Sequence, residues 1–228
     1  MIVEHFSVEG KYHENEDRLA VRNMGKSGAV AVLADGMGGL SLGDMAAEVV
    51  TNNVAEYISH NYQGHNERNI LQKSLAHADK ELRNVSMKYK SNMGAAVAAV
   101  IVLGHCLFCT WQGNVRVYVR HGNKTTLITE DHIAHIGYGR YALTRCIKGA
   151  SLRDDIPFVC HKLNAGDMVF LCSDGFYNVA EDSMTNISVE EIKKEIGTPE
   201  DDASLIKISY DIEETEQVIS IKACSDNK

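Results

Sequence analysis

The apolar residues of this chain change their spacing along its length, and the order of those changes constrains the fold more than any single motif. Segments Ile2 to Val8, Leu19 to Met24 and Ala29 to Leu33 are short, rich in Val, Ala and Ile, and read as strands. Gly25, Ser27 and Gly28 mark a hairpin between the last two. After the glycine cluster at Gly36 to Gly39 the spacing turns helical. Met45, Val49, Asn53 and Tyr57 fall on one line, with Ala46, Val50, Val54 and Ile58 beside it. A second stripe runs through Leu71, Leu75, Ala78, Leu82, Val85 and Tyr89 at alternating steps of four and three, so both helices must lay an apolar face on a core.

Strand spacing then returns at Ala95 to Leu103, Cys106 to Trp111, Val115 to Val119 and Thr125 to Ile128, broken by short glycine or asparagine turns. Residues Asp131 to Asp155 carry no clean period and read as irregular surface structure. A strand at Met168 to Cys172 runs into Ser173-Asp174-Gly175, a short helix is expected at Val189 to Ile196, and two last strands at Leu205 to Tyr210 and Val218 to Lys222. Paired helices between runs of strands, without regular alternation, predict an α+β domain with antiparallel sheets. With 228 residues and 44% hydrophobic composition, residues 1–228 are expected to form one domain.

The formal net charge of −8 disfavours a nucleic-acid partner, which calls for a basic face, although an acidic protein can hold phosphate through metal ions. The longest apolar run, Gly94 to Leu103, is half of what a bilayer crossing needs, so no membrane span is expected. The six cysteines sit mostly in apolar runs and the start of the chain shows no secretory pattern, so a cytoplasmic setting is expected. Cys106 and Cys109 form a C-x-x-C spacing within an apparent strand and read as buried cysteines rather than as a zinc or redox pair.

Acidic residues stand where apolar strands start or stop: Glu16 and Asp17 in NEDR, Asp35 in LADGMGG, Asp174 in LCSDG, and Asp201 with Asp202 in EDDASLIKI. A carboxylate at a strand end is held by rigid backbone yet can face a cleft, which is one way to assemble a hard-cation site from distant sequence. Convergence of several would be forbidden by mutual repulsion without cations, so divalent metal is implied if these ends meet. Each piece alone also reads as a turn or a solvated loop.

Taken together, NEDR, VLADGMGG, MGAAVAAVIV, GNVRVYV, ITEDH, LTRCIKG, GDMVFLCSDGFYNV and DDASLIKI resemble the type 2C metal-dependent protein phosphatases, collinearly from about residue 5 to residue 210, in a compact form. The resemblance implies a four-layer α-β-β-α sandwich: two central antiparallel sheets flanked by helices, with metals at one end. It also implies hydrolysis of phosphoserine and phosphothreonine in proteins by a water bridging two Mn2+ or Mg2+ ions. Asp35 would bridge the ions and the Gly36 carbonyl would face the second. Asp174 and Asp201 would complete the first shell, and Glu16 and Asp17 would serve the second ion directly or through water. The glycines Gly36, Gly38 and Gly39 would let the backbone approach an ion closely. Phosphoprotein substrates, an opposing Ser/Thr kinase and a monomeric state are the implied partners and assembly. His132 in TEDH reads as a structural hydrogen-bonding group, and His60, His65 and His77 as surface residues.

The chain departs from the family in ways that bear on chemistry. Tyr12 stands where an arginine commonly grips the substrate phosphate, leaving His13 or Arg18 as stand-ins. Asn114 and Asn178 replace aspartates that help to hold a third ion, so that site is expected to be weak or absent. Ala96 replaces a common threonine, and only ten residues separate His132 from Leu143, which shortens the flap beside the site. These changes keep open a second reading, a pseudophosphatase that binds a kinase or phosphoprotein as a regulatory module. A third reading is a hydrolase of small phosphate esters.

Overall fold

The computed structural model describes residues 1–25, 28–37, 42–152, 155–184 and 188–210. Its strands form two five-stranded antiparallel sheets and one small hairpin sheet. The first sheet holds β1 (Ile2–Val8), β12 (Ala203–Ser209), β11 (Met168–Cys172), β6 (Arg116–His121) and β7 (Lys124–Leu127), in that order. The second holds β10 (Val159–Lys162), β5 (Cys106–Gln112), β4 (Ala95–Leu103), β3 (Gly28–Gly36) and β2 (Asp17–Asn23).

Alternation along each strand decides the layers. On β3 and β4, Val30, Val32, Ala34, Val97, Ala99 and Ile101 face helices α1 (Gly43–Asn61) and α2 (Glu67–Tyr89), joining Val50, Val54, Leu71, Leu75 and Leu82 in one core. The intervening Ala31, Leu33, Ala98 and Val100 face the other sheet and meet Val117, Val119, Val169, Leu171, Ile206 and Ile208. On the outer side of that sheet, Phe6, Phe170 and Leu205 pack against α3 (Asp174–Ala180) and α4 (Val189–Ile196). The result is the four-layer α+β sandwich, helices over both sheets. Leu71, Leu75 and Leu82 are wholly buried, and truncating any one to alanine costs about 2–5 kcal/mol.

Cys106 and Cys109 fall on opposite faces of β5, one toward the helices and one toward the facing sheet, so the C-x-x-C spacing cannot form a shared site. No described helix is long and apolar enough to cross a membrane.

The segment expected to be irregular contains a regular hairpin, β8 (Ile133–Gly137) and β9 (Arg140–Leu143). Tyr138 and Gly139, both at positive φ (53° and 69°), make its two-residue turn. Most of its side chains are exposed, so no face imposes the alternation that reveals a strand. Strand β10 and helix α3 likewise escaped the periodicity, being four and seven residues long. The expected strand Val218 to Lys222, together with Ser27, Gly38 and Gly39, lies outside the described residues.

Candidate metal centre

Asp35 occupies the last turn of alternation on β3, on the side facing the opposite sheet, where the apolar core gives way to solvent. Beside it, Glu16 precedes β2, Asp174 opens α3 directly after β11, and Asp201 and Asp202 precede β12. The sandwich brings these four chain segments to one cavity of about 330 Å³. Its walls include Glu16, Asp35, Gly36, Asp174, Asp201 and Asp202, with Asn114 and His13 at its side.

Two close backbone approaches make the convergence possible. A Cβ at Gly36 would stand 2.3 Å from the Gly43 carbonyl and 2.9 Å from that of Glu16, and the Gly36 N–H donates to the latter at 3.1 Å. A Cβ at Gly175 would stand 2.2 Å from the Asp202 carbonyl, so only glycine lets the start of α3 lie against the Asp201-Asp202 backbone. Gly36, expected to let the backbone approach an ion, also lets two chain segments approach each other, and Gly175 does the same.

Asp202 works as a latch. Its Oδ1 accepts from the Gly10 N–H at 2.8 Å and its Oδ2 from the Glu16 N–H at 2.7 Å, tying residues 10–16 to the start of β12. Asp17 pairs with Asp35 across β2 and β3 but does not line the cavity. It is 3% exposed, and its Oδ2 accepts from the Ser173 hydroxyl at 2.7 Å, bracing the residue before Asp174. The Asn114 amide donates to Asp174 Oδ2 at 2.9 Å, while its own Oδ1 is buried without a partner. Asn178 sits one turn beyond Asp174 on α3, exposed and outside the cavity.

The electrostatics follow from crowding. Burial raises the Asp35 carboxyl well above the usual range, and the charges of Asp17, Asp174, Asp201 and Asp202 push it further. Burial lifts Asp17 to about 8 despite its hydroxyl partner, and burial with Asp201 raises Asp174. Glu16 is raised mainly by burial, and its Oε2 has no hydrogen-bond partner. Against these carboxylates the cavity wall holds one basic side chain, His13. Its Nδ1–H donates to the Glu14 carbonyl at 3.1 Å, and its Nε2 lies 3.3 Å from Asp201 Oδ1. Arg18, the other expected stand-in, turns away to the carbonyls of Asn15 and Asp17 and to Asp44. Tyr12 is exposed.

The donor set suits hard divalent cations: carboxylate and carbonyl oxygens with an orphaned buried oxygen on Glu16, one imidazole, that of His13, within 4.8 Å of ligand atoms of Asp201 and Asp202, and no thiolate among the described residues. His132 lies elsewhere, stacked on Trp111 and accepting from the Gly113 N–H at 3.1 Å, a structural role as expected. Sequence reasoning missed Tyr141 and Leu143 on the cavity rim, which arrive there on the unrecognised hairpin. It also missed the latch role of Asp202, for which no local pattern existed.

Among known proteins, a serine/threonine phosphatase of Listeria monocytogenes is 24% identical over 201 residues, covering 80% of this chain and 78% of that one. The crystal structure of the Mycobacterium tuberculosis serine/threonine phosphatase PstP/Ppp superposes with a TM-score of 0.78 at 20% identity, covering 92% and 99% of the two chains. A structure of the PstP catalytic domain in complex with two manganese ions superposes at 0.75 with 21% identity, covering 92% and 98%. The family profile described as Protein phosphatase 2C matches residues 9–206, most of the length, and the chain belongs to that family.

Proposed function

We propose that this chain hydrolyses phosphoserine and phosphothreonine in proteins, using two divalent cations held by Asp35, Gly36, Asp174, Asp201 and Glu16, with Asp17, expected among the ligands, bracing them from behind the cavity wall. The observation that carries this reading is the meeting of Glu16, Asp35, Asp174 and Asp201 from four separate segments around one cavity. Manganese or magnesium suits the all-oxygen donors. Once bound, such ions supply Lewis acidity toward a phosphoryl oxygen and ease deprotonation of water.

The residues of the chain do the rest. Asp35, which feels the charges of Asp17, Asp174, Asp201 and Asp202, would serve both cations, and Gly36 beside it leaves the backbone uncovered. Asp174 and Asp201 would share one cation and Glu16 would serve the other. Asp17, behind the wall, holds Ser173 and thereby the start of α3, so it acts at one remove. Among the described residues no thiol or aliphatic hydroxyl lines the cavity, which supports water rather than a Ser or Cys side chain as the nucleophile. His13 sets an imidazole beside Asp201, where it can contact a phosphoryl oxygen in place of the absent arginine. Asn114 already occupies one oxygen of Asp174 with a neutral amide, which argues for two ions rather than three.

Substrates are then phosphoproteins opposed by a Ser/Thr kinase, met by a cytoplasmic monomer. The test is release of phosphate from a phosphopeptide and from an aryl phosphate as manganese is titrated. Absence of turnover by folded protein at saturating manganese rejects the enzyme reading and favours the pseudophosphatase, which Tyr12 and the scarcity of cations in the cavity motivate.

A further inference from the structure

A second cleft, of about 300 Å³, opens at the C-terminal end of α2. Arg83, Ser86, Lys90, Ser91 and Asn92 line one side of it, and Lys148 and Gly149 the other. In a chain of net charge −8, three cations converge there. Arg83 is committed: it donates to the Gly149 carbonyl at 2.6 Å and to Ser151 Oγ at 2.8 Å, and it neighbours Asp79. Lys90 and Lys148 are exposed, and among the described residues neither makes an ion pair. Ser86 lines the same cleft, and its Oγ is buried with no hydrogen-bond partner among the described residues.

The cleft is built rather than incidental. The buried Asp79 carboxylate accepts from the N–H groups of Lys148 (3.3 Å), Gly149 (2.8 Å) and Ser151 (2.9 Å), fixing the loop that carries Lys148 to the side of α2. Lys90, at positive φ, closes the helix while the Ser91 N–H donates back to the Ser86 carbonyl at 3.2 Å. The cleft is also wired to the carboxylate cavity. Met37, on the cavity wall, donates its N–H to the Gly94 carbonyl at 3.0 Å, and the next residue, Ala95, exchanges two hydrogen bonds with Ile147, the neighbour of Lys148.

We propose that this cleft binds a second phosphoryl group on the protein substrate, a few residues from the one being hydrolysed. The two ammonium groups, without an ion pair among the described residues, balance the charge of a phosphomonoester dianion, and the Ser86 hydroxyl, buried at the cleft wall, has to rotate toward the cleft to donate to its oxygens. A cavity walled by carboxylates with one basic side chain gives a phosphopeptide little purchase of its own, so a neighbouring cation pair would supply it. The proposal rests on the protein phosphatase reading above.

The test measures binding apart from turnover. Fluorescence anisotropy of a fluorescein-labelled peptide bearing two phosphoserines is read against metal-free protein in EDTA, where the carboxylate cavity repels phosphate. Lys90→Glu with Lys148→Glu should weaken binding roughly three- to tenfold at low salt, and the difference should shrink as salt rises. Lys90→Gln with Lys148→Gln should act in the same direction less strongly, with thermal unfolding showing both pairs folded. Inorganic phosphate should displace the peptide, and manganese-dependent turnover of an aryl phosphate should be unchanged. Equal affinity in wild type and both pairs overturns the proposal, as does a glutamate-substituted peptide binding equally well or a failure of inorganic phosphate to compete. Loss of turnover in the wild type would strike the enzymatic reading and with it the description of the peptide as substrate, whereas the phosphoryl site in the cleft is overturned only by the anisotropy outcomes, so the two failures are distinguishable.

Discussion

Gly175→Ala isolates the contact that lets two of the four acidic segments meet. The new methyl would lie 2.2 Å from the Asp202 carbonyl oxygen, a backbone atom that cannot rotate away. Real contacts of that kind need at least about 3 Å, so α3 and the start of β12 must part by about 1 Å. Such overpacking costs about 1–3 kcal/mol. Alanine in a helix recovers about 1 kcal/mol of backbone propensity, which leaves a net loss of up to about 2 kcal/mol. In a chain of this size that lowers Tm by up to about 4–8 °C. Function should suffer more than stability, because Asp174 and Asp201 sit on the two sides of the contact and a 1 Å displacement at a reacting centre can cost about a hundredfold. Urea unfolding and manganese-dependent aryl phosphate hydrolysis measure the two effects, with Asn178→Ala on the exposed face of the same helix as control, expected within about 0.5 kcal/mol of wild type. A Gly175→Ala protein with wild-type stability and manganese response would refute the reasoning.

Other perturbations separate the roles assigned above. Asp174→Asn should lower turnover at least about a hundredfold while the fold survives, because the amide keeps an acceptor for Asn114 and removes one charge from a crowded cluster. Thermal unfolding in EDTA should show an unchanged or higher Tm. Asn114→Asp sets a further carboxylate against Asp174, so the metal-free protein should lose stability and manganese should restore it with a larger Tm shift than in wild type. Asp79→Ala strands the backbone N–H groups of the 148–151 loop and should cost about 2–4 kcal/mol by urea unfolding. Burial, with Arg145 nearby, holds the His132 imidazole below the usual histidine range, so the unfolded chain binds its proton more readily than the folded one. This contribution is complete above about pH 6.5 and is lost as pH falls from there toward the lower folded value. His132→Asn, which keeps an acceptor for Gly113, should flatten that part of the stability curve.

Much of the fold was legible because it is carried by repeats longer than the noise of single residues. The centres of the stripes on α1 and α2 and the apolar runs of β3, β4 and β11 had to be buried, and they are, while Met45, Val49 and Tyr57 flank the core half-buried and Tyr89 at the end of α2 is exposed. What escaped was short or exposed. The β8–β9 hairpin presents most of its side chains to solvent and so has no hydrophobic alternation to read. It nevertheless delivers Tyr141 and Leu143 to the rim of the cavity. At the site, Glu16, Asp35, Asp174 and Asp201 were recognisable by their places at strand ends and by the family order of their motifs. Asp202 stood out in the same way, but its latching role did not, since its two bonds run to residues 10 and 16, far away along the chain.

Local periodicity therefore determined which segments are strands and helices, and the motifs determined which carboxylates to watch. Whether those side chains face one cavity, stand behind its wall as the Asp17 carboxylate does, or point to solvent as the Asn178 amide does was decided by the tertiary structure alone. The physical reason is that side-chain direction at a strand end depends on register and on the layer packed above it. Those follow from long-range burial, and no stretch of neighbouring residues contains that information.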